Sequence, residues 1–401
     1  MSQIPVNRRY VLIYPYKFVD TLYTIMGLDG FSATTEIVIL DISHVLNREF
    51  SNAIKALSTL GNIKKIGSLR DFISEIKNIR EQSENIKTCV NYMIPMNSIV
   101  EYIINLIGYF YIRNSSIKVI NFINTGLPVF DQKSKKSNWL TKIKELSSFR
   151  HFFNKKKAFF WYRIPSPMNS LISHKLIAGN YYLDKVFNEA QKYKILKGHS
   201  FDFDRCLSLK KGNIQKQDTG VIVFLDEPGP MFASDYKITG ETVYKTIEVW
   251  YPALCRFFDR LEFLFNARVV IAAHYKSAFT SPSEVFGGRE VYYGRTRELI
   301  ENANLVITEQ STAVSYAVIY KKPIYYIYSD ESKQDIWLMN FMKNISELLG
   351  QPLLSINHLE CIPKTYPLVD RNKYFHYLNE FLTSFGEGRT NSEIIEQEVL
   401  I

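Results

Sequence analysis

The 401-residue chain has only four cysteines, Cys89, Cys206, Cys255 and Cys361, and they lie far apart. They show neither the close pairing of a zinc site nor the density of a secreted disulfide framework, so a reducing, cytoplasmic setting is expected. Long apolar runs are also missing. The most apolar stretch, Ile99 to Ile112, holds Glu101 and Asn105 and falls short of the roughly 20 residues that a spanning helix needs. Residues 1–9 run straight into a strand-like segment, with no apolar core followed by a small-residue cleavage site, and no export signal is expected there. There is no Gly-x-Ser-x-Gly elbow and no His-Glu-x-x-His, which argues against the common serine hydrolases and zincins. The glycine-rich fingerprints of dinucleotide and Walker-type sites are absent too. Helix-turn-helix and ribonucleoprotein signatures are lacking, and nucleic acid is not expected as a partner.

What is present is a chain with 46% hydrophobic residues, enough for two cores at roughly 100–200 residues per domain. The net charge of +9 fits an anionic partner: a nucleotide phosphate, an acidic glycan or an anionic membrane surface. Strands read at Tyr10–Tyr14, Glu36–Leu40, Cys89–Met93 and Lys118–Phe122 alternate with helices at Leu22–Leu28, Ile54–Leu60, Leu69–Ile79 and Ser98–Ile107. Short apolar strands between helices indicate a parallel sheet. From Gln132 to Arg163 lysines mix with aromatics such as Trp139, Phe152 and Trp161. The segment reads either as a surface helix pair with solvated lysines, or as a peripheral dock for an anionic membrane. The polar, glycine-containing stretch Lys210–Asp218 marks a boundary. It divides a domain over residues 1–212 from a second over 213–370, and the tail 371–401, apolar at helical spacing from Tyr374 to Phe385, packs back on the first.

The second unit alternates more regularly still. It reads as strand Val221–Leu225, helix Thr242–Phe265, strand Arg268–Ala273, strand Glu290–Tyr293, helix Arg297–Ala303, strand Leu305–Thr308, helix Thr312–Tyr320 and strand Ile324–Tyr328. This implies a doubly wound α/β sheet, whose ligands bind outside the carboxyl ends of the strands. Asp226 and Glu227 follow the first strand, adjacent and so directed to opposite sides in an extended chain. Either is a candidate general base, and the Asp-Glu-Pro-Gly cluster also reads as a simple turn. His274 follows the second strand, where an imidazole can assist a departing phosphate, and Lys276 and Ser277 add anion-binding groups. Gly294 stands at the tip of the third strand. Ser311 as N-cap and Thr312 as first helical residue offer hydroxyls and free backbone N–H groups to a phosphate, or serve as an ordinary cap. Asp330 is placed either to hold ribose hydroxyls or to cap the next helix. In the first domain His199 and Asp202 are acceptor-side candidates; Asp202-Phe203-Asp204 has the spacing of a divalent-metal motif, but reads more simply as an Asx-rich turn.

Taken together, the Asp226-Glu227 pair, His274-Tyr275 and Ser311-Thr312 within Gln310–Pro323 resemble the nucleotide-binding half of bacterial surface-polysaccharide glycosyltransferases of the two-domain GT-B type. More narrowly they resemble the clan using CMP-activated acidic sugars: sialyltransferases, polysialyltransferases and Kdo transferases. The resemblance covers about a quarter of the chain. It implies two Rossmann-like domains facing a cleft, a carboxylate base at Asp226, and CMP phosphate held by His274, Ser311 and Thr312. The donor would be a CMP-sugar, the acceptor a glycan or lipid-linked glycan, and no resident cofactor or metal would be needed. Pro228 and Tyr275 depart from the clan, which has Gly after the acidic pair and Pro after the histidine. The strand–Ser/Thr–helix–Lys-Pro segment is also similar to the CDP-glycerol and CDP-ribitol phosphotransferases of teichoic-acid synthesis, where attack falls on phosphorus. A sugar-nucleotide 2-epimerase looks similar at this level, and a non-catalytic GT-B-like scaffold is the alternative of a different class.

Overall fold

The computed structural model describes residues 6–46, 60–123, 127–128, 164–186, 192–209, 220–227, 229–232, 244–274, 277, 279–384 and 386–401. The expected Ile54–Leu60 helix, the basic aromatic segment Gln132–Arg163, the Lys210–Asp218 boundary, Pro228, Tyr275 and Lys276 lie outside the described residues, save Leu60.

Strands β1 (Arg8–Tyr14), β2 (Thr35–Asp41), β3 (Ile63–Lys65), β4 (Lys87–Tyr92), β5 (Lys118–Ile123), β6 (Ile172–Ala178) and β7 (Lys194–Gly198) form one sheet, ordered β3-β2-β1-β4-β5-β6-β7. Strands β8 (Val221–Leu225), β9 (Arg268–Ala273), β10 (Val291–Tyr293), β11 (Leu305–Thr308), β12 (Ile324–Tyr328) and β13 (Leu353–Ser355) form the other, ordered β10-β9-β8-β11-β12-β13. All strand pairings in both sheets are parallel. Each order is that of a doubly wound dinucleotide fold, with the switch point between β1 and β4 in the first sheet and between β8 and β11 in the second.

The apolar run of β8 exists because both of its faces are covered. Val221, Val223 and Leu225 join the core on one side of the sheet, while Ile222 and Phe224 meet Trp250, Leu254, Phe257 and Phe258 of the Ile247–Phe265 helix on the other. Alternation does the same in β1, where Tyr10, Leu12 and Tyr14 face one core and Val11 and Ile13 another. Five side chains buried on two faces leave no polar position except the strand's end, where Asp226 stands.

The tail does not stay with the second sheet. After the Arg371–Tyr377 helix and a π-helical turn over Leu378–Leu382, the chain crosses to the first sheet. There the Asn391–Glu398 helix, started by a capping box between Thr390 and Glu393, buries Ile394, Ile395 and nearby Val399 and Leu400 beside Tyr10 and Leu12. Buried Glu396 accepts hydrogen bonds from the Ser32 amide at 2.9 Å, the Ser32 hydroxyl at 2.7 Å and the Thr35 hydroxyl at 2.5 Å.

Candidate functional site

The carboxyl ends of both sheets open on one cleft of about 540 Å³. From the second sheet come Asp226 after β8, His274 after β9, Gly294 after β10, and Ser311 and Thr312 after β11. The opposite wall is the Asp20–Ile25 helix that follows β1 and the Phe201–Leu209 helix that follows β7, presenting Asp20, Thr21, Thr24, Asp202 and Arg205. Four separate strand tips thus converge at the switch point of the second sheet, as the open-sheet rule expects. The walls nearly touch at Gly294. Its φ of +70° suits glycine, and a β-carbon there would lie 3.4 Å from Thr21 Cγ2.

Asp226 and its neighbour Glu227 have different surroundings. Asp226 is buried at the cleft floor, and burial pushes its pKa up to about 7. The Ser277 hydroxyl, the His274 backbone and the Lys245 charge pull downward without overcoming that effect. Neither Asp226 Oδ2 nor Ser277 Oγ has a partner in hydrogen-bond geometry among the described residues. Glu227 does not line the cleft. Its Oε1 accepts the Gln310 N–H at 2.5 Å, and burial together with the neighbouring Glu309 carboxylate raises its pKa. Glu309 is ion-paired with Lys245, both inside the protein. Asp226 is therefore the member of the acidic pair that faces the cleft, and a carboxyl with its proton affinity suits a base working near neutral pH.

Several expectations need correction. The helix after β11 runs only from Val314 to Ile319, so Ser311 is not its N-cap and Thr312 is not helical. Instead the Ser311 Oγ accepts the Ala313 N–H at 3.3 Å, and three successive tight turns lead into the helix. Thr312 is exposed, and both hydroxyls still reach the cleft, but six helical residues make only a small dipole. His199 is not an acceptor-side group. It is fully buried, with Nδ1 2.8 Å from the Thr383 hydroxyl and Nε2 2.9 Å from the Arg389 carbonyl, which makes it a neutral tie to the tail; burial lowers its pKa. Asp202 and Asp204 lie on the first turn of a helix, where residues two apart face different sides. Asp202 lines the cleft and bonds Ser315 and Tyr316 of the other domain, whereas Asp204 accepts the Asn391 N–H at 2.7 Å, and burial raises its pKa to about 6. The two cannot share one ion. Asp330 is neither at the cleft nor a side-chain cap: Lys333 Nζ pairs with it at 2.6 Å at the surface.

Sequence reasoning missed Arg205 and Arg297, two guanidiniums that reach the cleft from opposite walls. Arg205 pairs with Asp29 at 2.8 Å, and Arg297 with Glu298 and Glu301 at 2.8 and 2.7 Å. Arg297 sits in the opening turn and Arg205 just past the opening turn of a helix that follows a strand, close to the strand-end signal that singled out His274 and Ser311. Lys245 was missed as well. A helix was expected from Thr242, which would have left it a solvated lysine; the helix begins at Ile247, and Lys245 turns inward to Glu309 and over the Trp250 ring, 4.5 Å from its centroid. The lining carries Asp20, Asp202, Asp226 and Glu298 against Arg205 and Arg297. Such a cleft suits a ligand that joins hydroxyl-rich and phosphate-bearing parts better than a bare polyanion.

No protein-family model matches the sequence, and no curated protein matches it. Among solved structures, a variant of the wall teichoic acid polymerase TagF aligns over 99% of this chain and 89% of that chain, with 13% identity and a TM-score of 0.53. A second TagF structure aligns over 99% and 90%, with 12% identity and a TM-score of 0.52. MnaA of S. aureus in complex with UDP aligns over 98% of both chains at 10% identity, but its TM-score of 0.44 is too low to weigh. The chain therefore has the GT-B fold, two Rossmann-like domains facing a central cleft.

Proposed function

We propose that this protein is a GT-B transferase of bacterial surface-polymer synthesis, which takes a nucleotide-activated donor in the cleft and passes its activated group to an acceptor hydroxyl. The observation that carries the reading is the meeting of Asp226, His274 and the Ser311 and Thr312 hydroxyls, each from a different strand tip, opposite a wall supplied by the other domain. In the favoured form the donor is a CDP-polyol of the glycerol or ribitol kind. Similarity of the fold to a wall teichoic acid polymerase supports phosphoryl transfer over the CMP-sugar reaction.

The acceptor oxygen attacks the donor phosphorus and loses its proton to the Asp226 carboxylate. The bond from that phosphorus to the bridging oxygen breaks, and CMP departs with the electron pair. His274, Arg205, Arg297 and the two hydroxyls balance the charge of the departing phosphate. In the CMP-sugar alternative the same residues serve an attack at the anomeric carbon. Neither scheme requires a resident cofactor. Acceptors carried on a lipid fit an exposed apolar row, Ile99, Ile103 and Phe110, on the Ile99–Ile112 helix of the first domain, a half that also holds most of the excess lysine and arginine.

The test is release of CMP, in the presence of a glycan or polyol-phosphate acceptor, from CDP-glycerol, CDP-ribitol and a CMP-nonulosonate offered separately. Turnover of a CDP-polyol supports phosphoryl transfer. Turnover of the CMP-nonulosonate alone moves the reaction to the sugar carbon, and turnover of none leaves the scaffold reading.

A further inference from the structure

Behind the cleft floor lies a charged cluster that the reaction above does not use. Lys245 and Glu309 form an ion pair in which both side chains are more than nine-tenths buried. Glu309 also accepts from the Ser332 hydroxyl at 3.3 Å, and the residue after it, Gln310, donates its N–H to Glu227. Next to Lys245, Thr246 donates through its N–H and its hydroxyl to the two oxygens of Glu331, at 3.0 and 2.8 Å. The cluster therefore ties together the ends of β8, β11 and β12. It is fastened to the residues on either side of the proposed machinery: Glu227 follows Asp226, and Glu309-Gln310 precede Ser311-Thr312.

Its charge count is uneven. Lys245 faces Glu309 and the carboxyls of Glu227 and Asp226, one cation against three acids in a buried place. Among the described residues, the other groups that act on Asp226 include the Ser277 hydroxyl, the His274 backbone, and the Tyr251 and Tyr293 hydroxyls, none of which brings a positive charge in those contacts. One ammonium cannot neutralise three carboxylates: Glu309 takes the direct pairing, and the Lys245 charge acts more weakly on Glu227 and Asp226.

We propose that Lys245 is a positioning residue for the transfer reaction: through Glu309 and Gln310 it fixes the segment that carries Ser311 and Thr312, and with it the Glu227 side chain next to Asp226. The proposal rests on the transferase reading, because that reading gives those hydroxyls a phosphate to hold; the brace itself can be probed without any ligand.

Two measurements on the full chain separate the proposal from that reading. Carboxyl carbon NMR on protein labelled at aspartate, with Asp226→Asn to assign the signal, follows the Asp226 titration in wild type, Lys245→Met and Lys245→Arg. The Asp226 midpoint is expected to rise by about half a unit to one unit in Lys245→Met, and to return most of the way in Lys245→Arg. Calorimetry with CDP on the same proteins is expected to show affinity roughly tenfold weaker in Lys245→Met, with substantial rescue in Lys245→Arg. A Lys245→Met protein that melts at lower temperature yet keeps the wild-type Asp226 midpoint and CDP affinity would overturn the proposal, leaving Lys245 a packing residue. A wild type that binds no CDP, together with a shifted midpoint in Lys245→Met, would refute the transferase reading and leave the brace of Lys245 behind the cleft floor standing.

Discussion

The two sheets share one strand order, yet they hold their cleft-facing groups in different ways. On the second sheet the groups at the strand tips are braced from behind within their own domain, by the Lys245–Glu309 pair, the Glu227–Gln310 bond and the Thr246–Glu331 link. On the first sheet Arg205 is paired with Asp29 of its own domain, but other facing groups reach outward. Asp202 bonds Ser315 across the cleft, and Thr21 sits against Gly294. One wall is thus braced within its own domain, while the other is partly defined by contact with its opposite. Closure of the domains on a donor would act on the second kind of contact and spare the first.

The sharpest way to break this contrast is at Asp226. Asp226→Asn is expected to reduce transfer by roughly 10²–10⁴-fold while leaving the fold intact. Because burial raises this carboxyl above its unfolded-state value, its contribution to stability is fully present below about pH 4, and is lost progressively as pH rises through about 7. The asparagine variant should therefore melt higher than wild type at pH 8, by up to a few kcal/mol at about 1.4 kcal/mol per unit, and the gain should shrink towards pH 5. In the wild type, turnover should climb with pH through a midpoint near 7. A variant that melts lower at pH 8 would contradict a desolvated, strained carboxylate.

His199→Ala comes next, and its effect should fall on stability alone. It removes a buried side chain with two hydrogen bonds to the tail, at a cost of roughly 2–4 kcal/mol in chemical denaturation, with CDP affinity unchanged. Loss of nucleotide binding at wild-type stability would return His199 to the site. Gly294→Val tests the meeting of the walls. The positive φ and the approach to Thr21 should cost about 1–3 kcal/mol and weaken nucleotide binding by holding the cleft open, which scattering with and without CDP can follow. The smallest effect is expected at Arg205→Ala, a partly exposed guanidinium with one ion pair. CDP affinity should fall by roughly three- to tenfold, and the loss should diminish at high salt.

The second sheet was legible because its strands are buried on both faces and read as bare apolar runs; Val221–Leu225, Arg268–Ala273, Leu305–Thr308 and Ile324–Tyr328 have the bounds that the sequence indicates. The first sheet was read only in part. In β6, Ser173, His174 and Lys175 interrupt the apolar pattern, and β7 has three lysine or glycine positions in five, so neither gives a period-2 or continuous signal. Polar tips at the carboxyl ends were visible for the same reason as the strands. What each tip touches was not. His199 and Asp202 stand three residues apart at the same strand-to-helix junction, and only the course of the tail makes one a buried tie and the other a cleft residue. Lys245 depended on the helix starting at Ile247, after Thr246, and not at Thr242, a choice between two cap-like threonines that local pattern does not fix.

The most direct test of the central claim is calorimetric titration of the full chain with CDP, CMP, UDP and GDP, with and without magnesium, repeated on His274→Ala. The account predicts preferential binding of a cytidine nucleotide, retained without the metal and lost or strongly weakened in the variant. A clear preference for UDP or GDP, or binding that His274→Ala leaves untouched, would contradict it.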